Sequence, residues 1–174
     1  MSQLEVRAAQ RVLHIHLTRP EKHNALSIDM YRGIAAAYER LESDPALRVA
    51  VLSAEGRNFT AGIELDQWAP MLGGGEGWPI EPGAIDPFGF SGRQHGKPVV
   101  IAVQGYCFTW GVEILLNTEI RVAASDTQFQ MLEVLRGLYP CGGATYRLPR
   151  EIGWGNAQRV LLTGERWSAE DALR

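Results

Sequence analysis

Two glutamates stand where a carboxylate is costly. Glu113 lies at the start of an otherwise apolar run, Val112–Leu116, and Glu133 sits within Phe129-Gln130-Met131-Leu132-Glu133-Val134-Leu135. A carboxylate among apolar neighbours has to be paired or protonated. Burial raises its pKa towards the range in which protons are exchanged near neutrality. Two such groups in one pocket can divide acid and base roles. The plainer alternative is a pair of surface or structural glutamates, with Glu113 complementing a helix dipole. Residue type and spacing alone favour that plainer reading.

Two turns have chemistry of their own. Phe59-Thr60-Ala61-Gly62-Ile63-Glu64-Leu65 follows an apolar strand and precedes a helical turn, and Gly105–Glu113 repeats the arrangement. Strand-to-helix turns can leave backbone N–H groups unpaired and aimed at one point. A pair of them can form an oxyanion hole in which a thioester carbonyl takes on enolate charge. Ordinary glycine turns have the same look, and spacing alone favours them.

The remaining candidates have ordinary explanations. Cys107 and Cys141 are too few for a disulfide framework or a zinc site and fit buried thiols in a reducing compartment. His14 and His16 share one face of a strand with no third ligand at convincing spacing, so no metal site is expected. Tyr106 and Phe108 read as core, Trp68 and Trp78 as pocket covers or local packing, and Arg147 and Arg150 as surface partners of acids.

The elements that must position these groups follow from periodicity. Val12–Leu17 alternates as a strand, and Ser27 caps a helix over 28–42 with Tyr31, Ile34, Ala35, Tyr38 and Leu41 on one face. Val49–Ser53, Lys97–Gln104 and Ile120–Ala124 read as strands; Val112–Leu116, Gly142–Ile152 and Ala157–Leu162 read as helical. Ser168 and Asp171 have capping-box spacing for a last helix. Trp68–Gly96, rich in Gly and Pro, reads as a long functional or mobile loop. Strands alternating with helices predict an α/β domain over 1–174, its sheet mostly parallel.

A net charge of −3 argues against nucleic-acid binding through a broad basic surface. The longest strongly apolar run, Pro98–Val103, is far too short for a bilayer, and Met1–Gln10 has no signal-peptide pattern. These features set the expectation of a cytoplasmic protein with no membrane partner.

Four motifs in order resemble the crotonase superfamily, most nearly the enoyl-CoA hydratases. They are Leu17-Thr18-Arg19-Pro20 through Asn24-Ala25-Leu26, then Phe59–Leu65, then Val103–Glu113, then Gln128–Leu148. The resemblance covers nearly the whole chain. It implies a crotonase-like spiral of ββα repeats with helices flanking the sheets. It also implies backbone oxyanion donors at Ile63 and Trp110, and Glu113 and Glu133 as the hydratase pair. Lys22, Ala25, Ala61, Glu64 and Leu65 would then lie along bound coenzyme A, with Ala61 meeting the adenine through its backbone. The substrate would be an acyl-CoA thioester, hydrated across its 2,3 double bond. Coenzyme A would enter as part of that substrate, with no separate cofactor. Isomerisation, thioester hydrolysis, or a non-catalytic binding or assembly role on the same scaffold are the alternatives.

Departures from the family pattern set further expectations. Thr109 and Trp110 stand where glycines are usual, so the indole would narrow the acyl pocket or force a different turn. Glu64 replaces Asp, and Cys141 replaces a common Gly beside the water site. The capped helix at Ala172-Leu173-Arg174 has barely begun, which suggests further C-terminal helices that complete the pocket and a trimer or dimer of trimers.

Overall fold

The computed structural model describes residues 3–74, 77–90 and 92–174. Met1 and Ser2 of the N-terminal reading, and Gly75, Glu76 and Ser91 of the loop reading, lie outside them.

Strand β1 (Leu4–Ala9) runs antiparallel to β2 (Val12–Leu17), which continues in parallel through β3 (Val49–Ala54), β4 (Val99–Val103) and β6 (Ile120–Ala123). A second sheet joins β5 (Tyr106–Phe108), β7 (Gln128–Gln130) and β8 (Arg166–Ser168) in that order. The chain therefore places a strand in the large sheet, turns a corner into the second sheet, and leaves as a helix. It does so through β4, β5 and α3 (Trp110–Leu116), and again through β6, β7 and a 3-10 turn at Glu133–Arg136. The stretch after β3 makes the same corner with one bridge, Thr60 to Cys107, before α2 (Leu65–Leu72).

Helix α1 (Ile28–Ser43) begins where Ser27 Oγ accepts the Met30 amide at 3.1 Å. Its apolar face buries Met30, Tyr31, Ile34, Tyr38 and Leu41, the last four as their spacing predicted. Inward residues of β2 and β3 (Leu13, Ile15, Leu17, Ala50 and Leu52) belong to the same core. Full burial of each large aliphatic side chain contributes about 1.5–3 kcal/mol. Beyond the sheets lie α4 (Ala144–Ile152), α5 (Trp154–Thr163) and α6 (Ala169–Leu173), the last opened by the Ser168–Asp171 capping box. Among the described residues, no helix is long and apolar enough to cross a membrane.

Two readings need correction. The 68–96 stretch begins inside α2, which tolerates Pro70, and its Trp68 and Phe88 belong to the core with Trp78 packed against it. Trp78 Nε1 donates to the Tyr31 hydroxyl at 2.7 Å, and that hydroxyl donates to buried Asp86 at 2.8 Å. Tyr31, Trp68, Trp78 and Phe88 pack ring to ring around this chain of hydrogen bonds. Arg147 is no surface ion-pair partner: it is half-buried and donates to the carbonyls of Phe88 and Gly89 and to Asn117 Oδ1. Arg150 instead lies over the Tyr146 ring.

Candidate active site

The loop after β3 is held by a dense set of hydrogen bonds. Thr60 Oγ1 donates to Asn24 O at 2.7 Å and accepts the Gly62 amide at 3.1 Å. The Ala61 amide donates to His23 O, Leu26 to Gly62 O and Glu64 to Leu26 O. Asn24 is the organiser that sequence reasoning missed. It takes a left-handed φ of 50°, accepts the Arg19 amide, and donates to the carbonyls of Glu55 and Asn58. Its type was the available signal, since Asn adopts this conformation more readily than most residues. Among the described residues the Ile63 amide has no hydrogen-bond partner.

The second loop ends at Thr109, whose φ of 50° and ψ of −112° are unusual for a β-branched residue. Its amide donates to Gln130 O at 2.7 Å, and its carbonyl accepts from Val112 and Glu113. Trp110, as the first residue of α3, keeps an amide with no partner among the described residues. Its indole turns into the aromatic cluster, with ring centroids 4.3 Å from Trp68 and 4.6 Å from Phe88.

Both turns open on one cleft of about 180 Å³, whose wall includes Ala61, Ile63, Leu65, Trp110, Glu133 and Cys141. Lys22, Ala25 and Glu64 are not in that wall. Lys22 is exposed on a 3-10 turn, Pro20–Lys22, and Ala25 follows on the segment that pairs with the 60–64 loop. Glu64 is committed to Arg19 at 2.7 Å, and this hydrogen-bonded pairing holds its carboxyl below the usual range.

Glu113 is fully buried behind the cleft wall. Its Oε1 accepts the amides of Gly142 at 2.8 Å and Ala144 at 3.0 Å, while Oε2 has no partner among the described residues. Glu133 is also buried, and among the described residues neither of its carboxyl oxygens has a partner. Burial pushes Glu113 up to about 8; the Ala144 and Gly142 amides oppose the rise and the nearby Glu133 charge adds to it. Burial likewise pushes Glu133 up to about 7. Cys141 is pushed up to about 12 by burial and by both glutamate charges, which keeps its thiol protonated. One cleft is thus lined by two residues with free amides, Ile63 and Trp110, and by a carboxyl raised towards neutrality, Glu133.

The two-sheet spiral defines the crotonase fold. The profile of the family described as enoyl-CoA hydratase/isomerase matches residues 7–174. The chain belongs to this family. It is 36% identical over 163 residues to enoyl-CoA hydratase EchA19 of Mycobacterium tuberculosis, covering 92% of this chain and 60% of that protein. It is 27% identical over 180 residues to a mitochondrial Delta(3,5)-Delta(2,4)-dienoyl-CoA isomerase of Dictyostelium discoideum, covering 98% of this chain and 61% of that one. The crystal structure of a probable enoyl-CoA hydratase/isomerase from Mycobacterium abscessus superimposes with a TM-score of 0.93 at 43% identity. That match covers 98% of this chain and 66% of the other. The chain thus spans roughly 60% of the length of the curated relatives it matches.

Proposed function

We propose that the chain is the core of an enzyme that adds water across the 2,3 double bond of an enoyl-CoA thioester. The observation that carries this reading is Glu133. It stands unpartnered in the wall of a cleft that also takes the free amides of Ile63 and Trp110, with Glu113 close enough to shift in response to its charge. The thioester oxygen binds at the two amides. Glu133 takes a proton from water, and the water oxygen bonds to the β-carbon. The C=C electron pair moves through the α-carbon to the thioester oxygen as an enolate. A proton held by the glutamate pair then returns to the α-carbon and the carbonyl re-forms. Preorganised donors of this kind each supply about 10²–10³ in rate.

Coenzyme A enters as part of the substrate, along Lys22, Ala25, Ala61, Glu64 and Leu65. In the complete protein the assembly is a homo-oligomer, with a trimer as the proposed form. One observation favours a second reading, isomerisation: of the two glutamates, only Glu133 lines the cleft, and one carboxylate suffices to carry a proton between carbons. Incubation with 2-enoyl-CoA substrates of short, medium and aromatic acyl groups, followed by mass spectrometry, tests both readings. Hydration adds the mass of water. Double-bond migration, at constant mass but with a shifted chromatographic retention, favours the isomerase, and release of free coenzyme A or no change in mass and retention sinks both.

A further inference from the structure

Thr109 combines two unfavourable features in one residue at the junction of both amide-bearing loops. A β-branched residue at a φ of 50° is strained, and glycine would adopt that backbone freely. Its hydroxyl is buried with no hydrogen-bond partner among the described residues, in a residue only 8% exposed. Buried hydroxyls are nearly always paired, so an orphan calls for a partner. The side chain lies against Gly62: a methyl group built on that glycine would stand 2.4 Å from Thr109 Oγ1. Gly62 immediately precedes the Ile63 amide, and Thr109 immediately precedes the Trp110 amide. Thr109 also lines the cleft with both. The hydroxyl itself faces Gly62 with almost no surface exposed, and a turn about its single Cα–Cβ bond is what contact with an oxygen in the cleft requires.

We propose that the Thr109 hydroxyl is a third donor to the substrate oxygen bound at the amides of Ile63 and Trp110. The inference rests on the oxyanion reading of the cleft and adds a side-chain contact to it. A hydrogen bond to an oxygen that gains charge is stronger than one to a neutral carbonyl, so the contact acts mainly on the rate.

Three substitutions in the full protein separate the hydroxyl from the backbone. Thr109→Val keeps the branching and the packing on Gly62 but removes the donor. Thr109→Ser keeps the donor, and Thr109→Gly relieves the strain without it. With a 2-enoyl-CoA substrate, Val lowers kcat about 10- to 100-fold and Ser recovers most of the loss. Gly melts no lower than the parent yet stays as slow as Val. Val at parental rate, or Gly at full rate, overturns the proposal. Binding of acetoacetyl-CoA by calorimetry separates it from the hydration reading. If that thioester binds but no enoyl-CoA is hydrated, weaker binding by Val with rescue by Ser upholds the Thr109 contact while hydration falls. Equal binding by Val and the parent in that case overturns the contact, as does failure of the parent to bind.

Discussion

Gly142 and Glu113 are in such close contact that a methyl group on Gly142 would stand 2.6 Å from Glu113 Oε2. The same glycine donates its amide to Glu113 Oε1. The turn that follows the cleft wall thus holds the carboxyl on two sides. Gly142→Ala must push the carboxyl or the turn away. Overpacking of this kind costs about 1–3 kcal/mol. Chemical denaturation is expected to show that loss, with turnover falling further than stability accounts for.

Glu133→Gln removes the proposed base from the cleft wall while keeping its size. Turnover is expected to fall about 10²–10⁴-fold, with acyl-CoA affinity measured by calorimetry near the parental value. Glu113→Gln can still accept the Gly142 and Ala144 amides through its carbonyl oxygen, so it should fold and also turn over slowly. A Glu133→Gln protein at full rate would remove the acid–base assignment.

The pH dependence follows from the raised carboxyls, about 7 for Glu133 and about 8 for Glu113 against an ordinary 4.5. Turnover through a pair that holds one proton is greatest between about 7 and 8 and declines on both sides. Stability has a different profile. Below pH 4.5 folded and unfolded chains both retain these protons; above it the unfolded chain releases them first. Their contribution to stability therefore declines as pH rises and levels off above about 8. Denaturation midpoints across this window check the slope, and Glu113→Gln should flatten part of it.

The Tyr31 hydroxyl links Trp78 to Asp86. Tyr31→Phe leaves the Trp78 indole N–H without its acceptor and removes one donor to Asp86. A loss of about 1–3 kcal/mol is expected, read as a lower thermal midpoint. An unchanged midpoint would mean that the hydrogen-bonded chain contributes little beyond packing of the rings.

The elements that alternate or cap strongly were legible in the residues. The VLHIHL strand, the Ser27 cap and the Ser168–Asp171 box all form where their patterns sit. β7 and β8 were not legible, because three-residue strands have too few positions to show a period. β1 hid behind charged residues at a sheet edge, and Pro70 masked α2. At the site, resemblance rather than spacing singled out Ile63, Trp110 and the two glutamates. The burial of Glu113 behind Cys141 and Gly142, the orphan hydroxyl of Thr109 and the commitment of Glu64 to Arg19 depend on contacts across the fold, to which local sequence is silent.

The three corners of the spiral are keyed to one another: Thr60 bridges Cys107, and Cys107 lies opposite Phe129. Residues three places past the first two of these keyed points, at 63 and 110, then line one cleft, like doors opening on successive landings of one stair. Lengthening the exposed turn at Pro82-Gly83 adds no residue between those keyed points and positions 63 and 110. One residue added between Cys107 and Trp110 would swing the upper door to the opposite wall. The evolutionary freedom of such a scaffold therefore lies in its outer flights, while its landings admit almost no change in count.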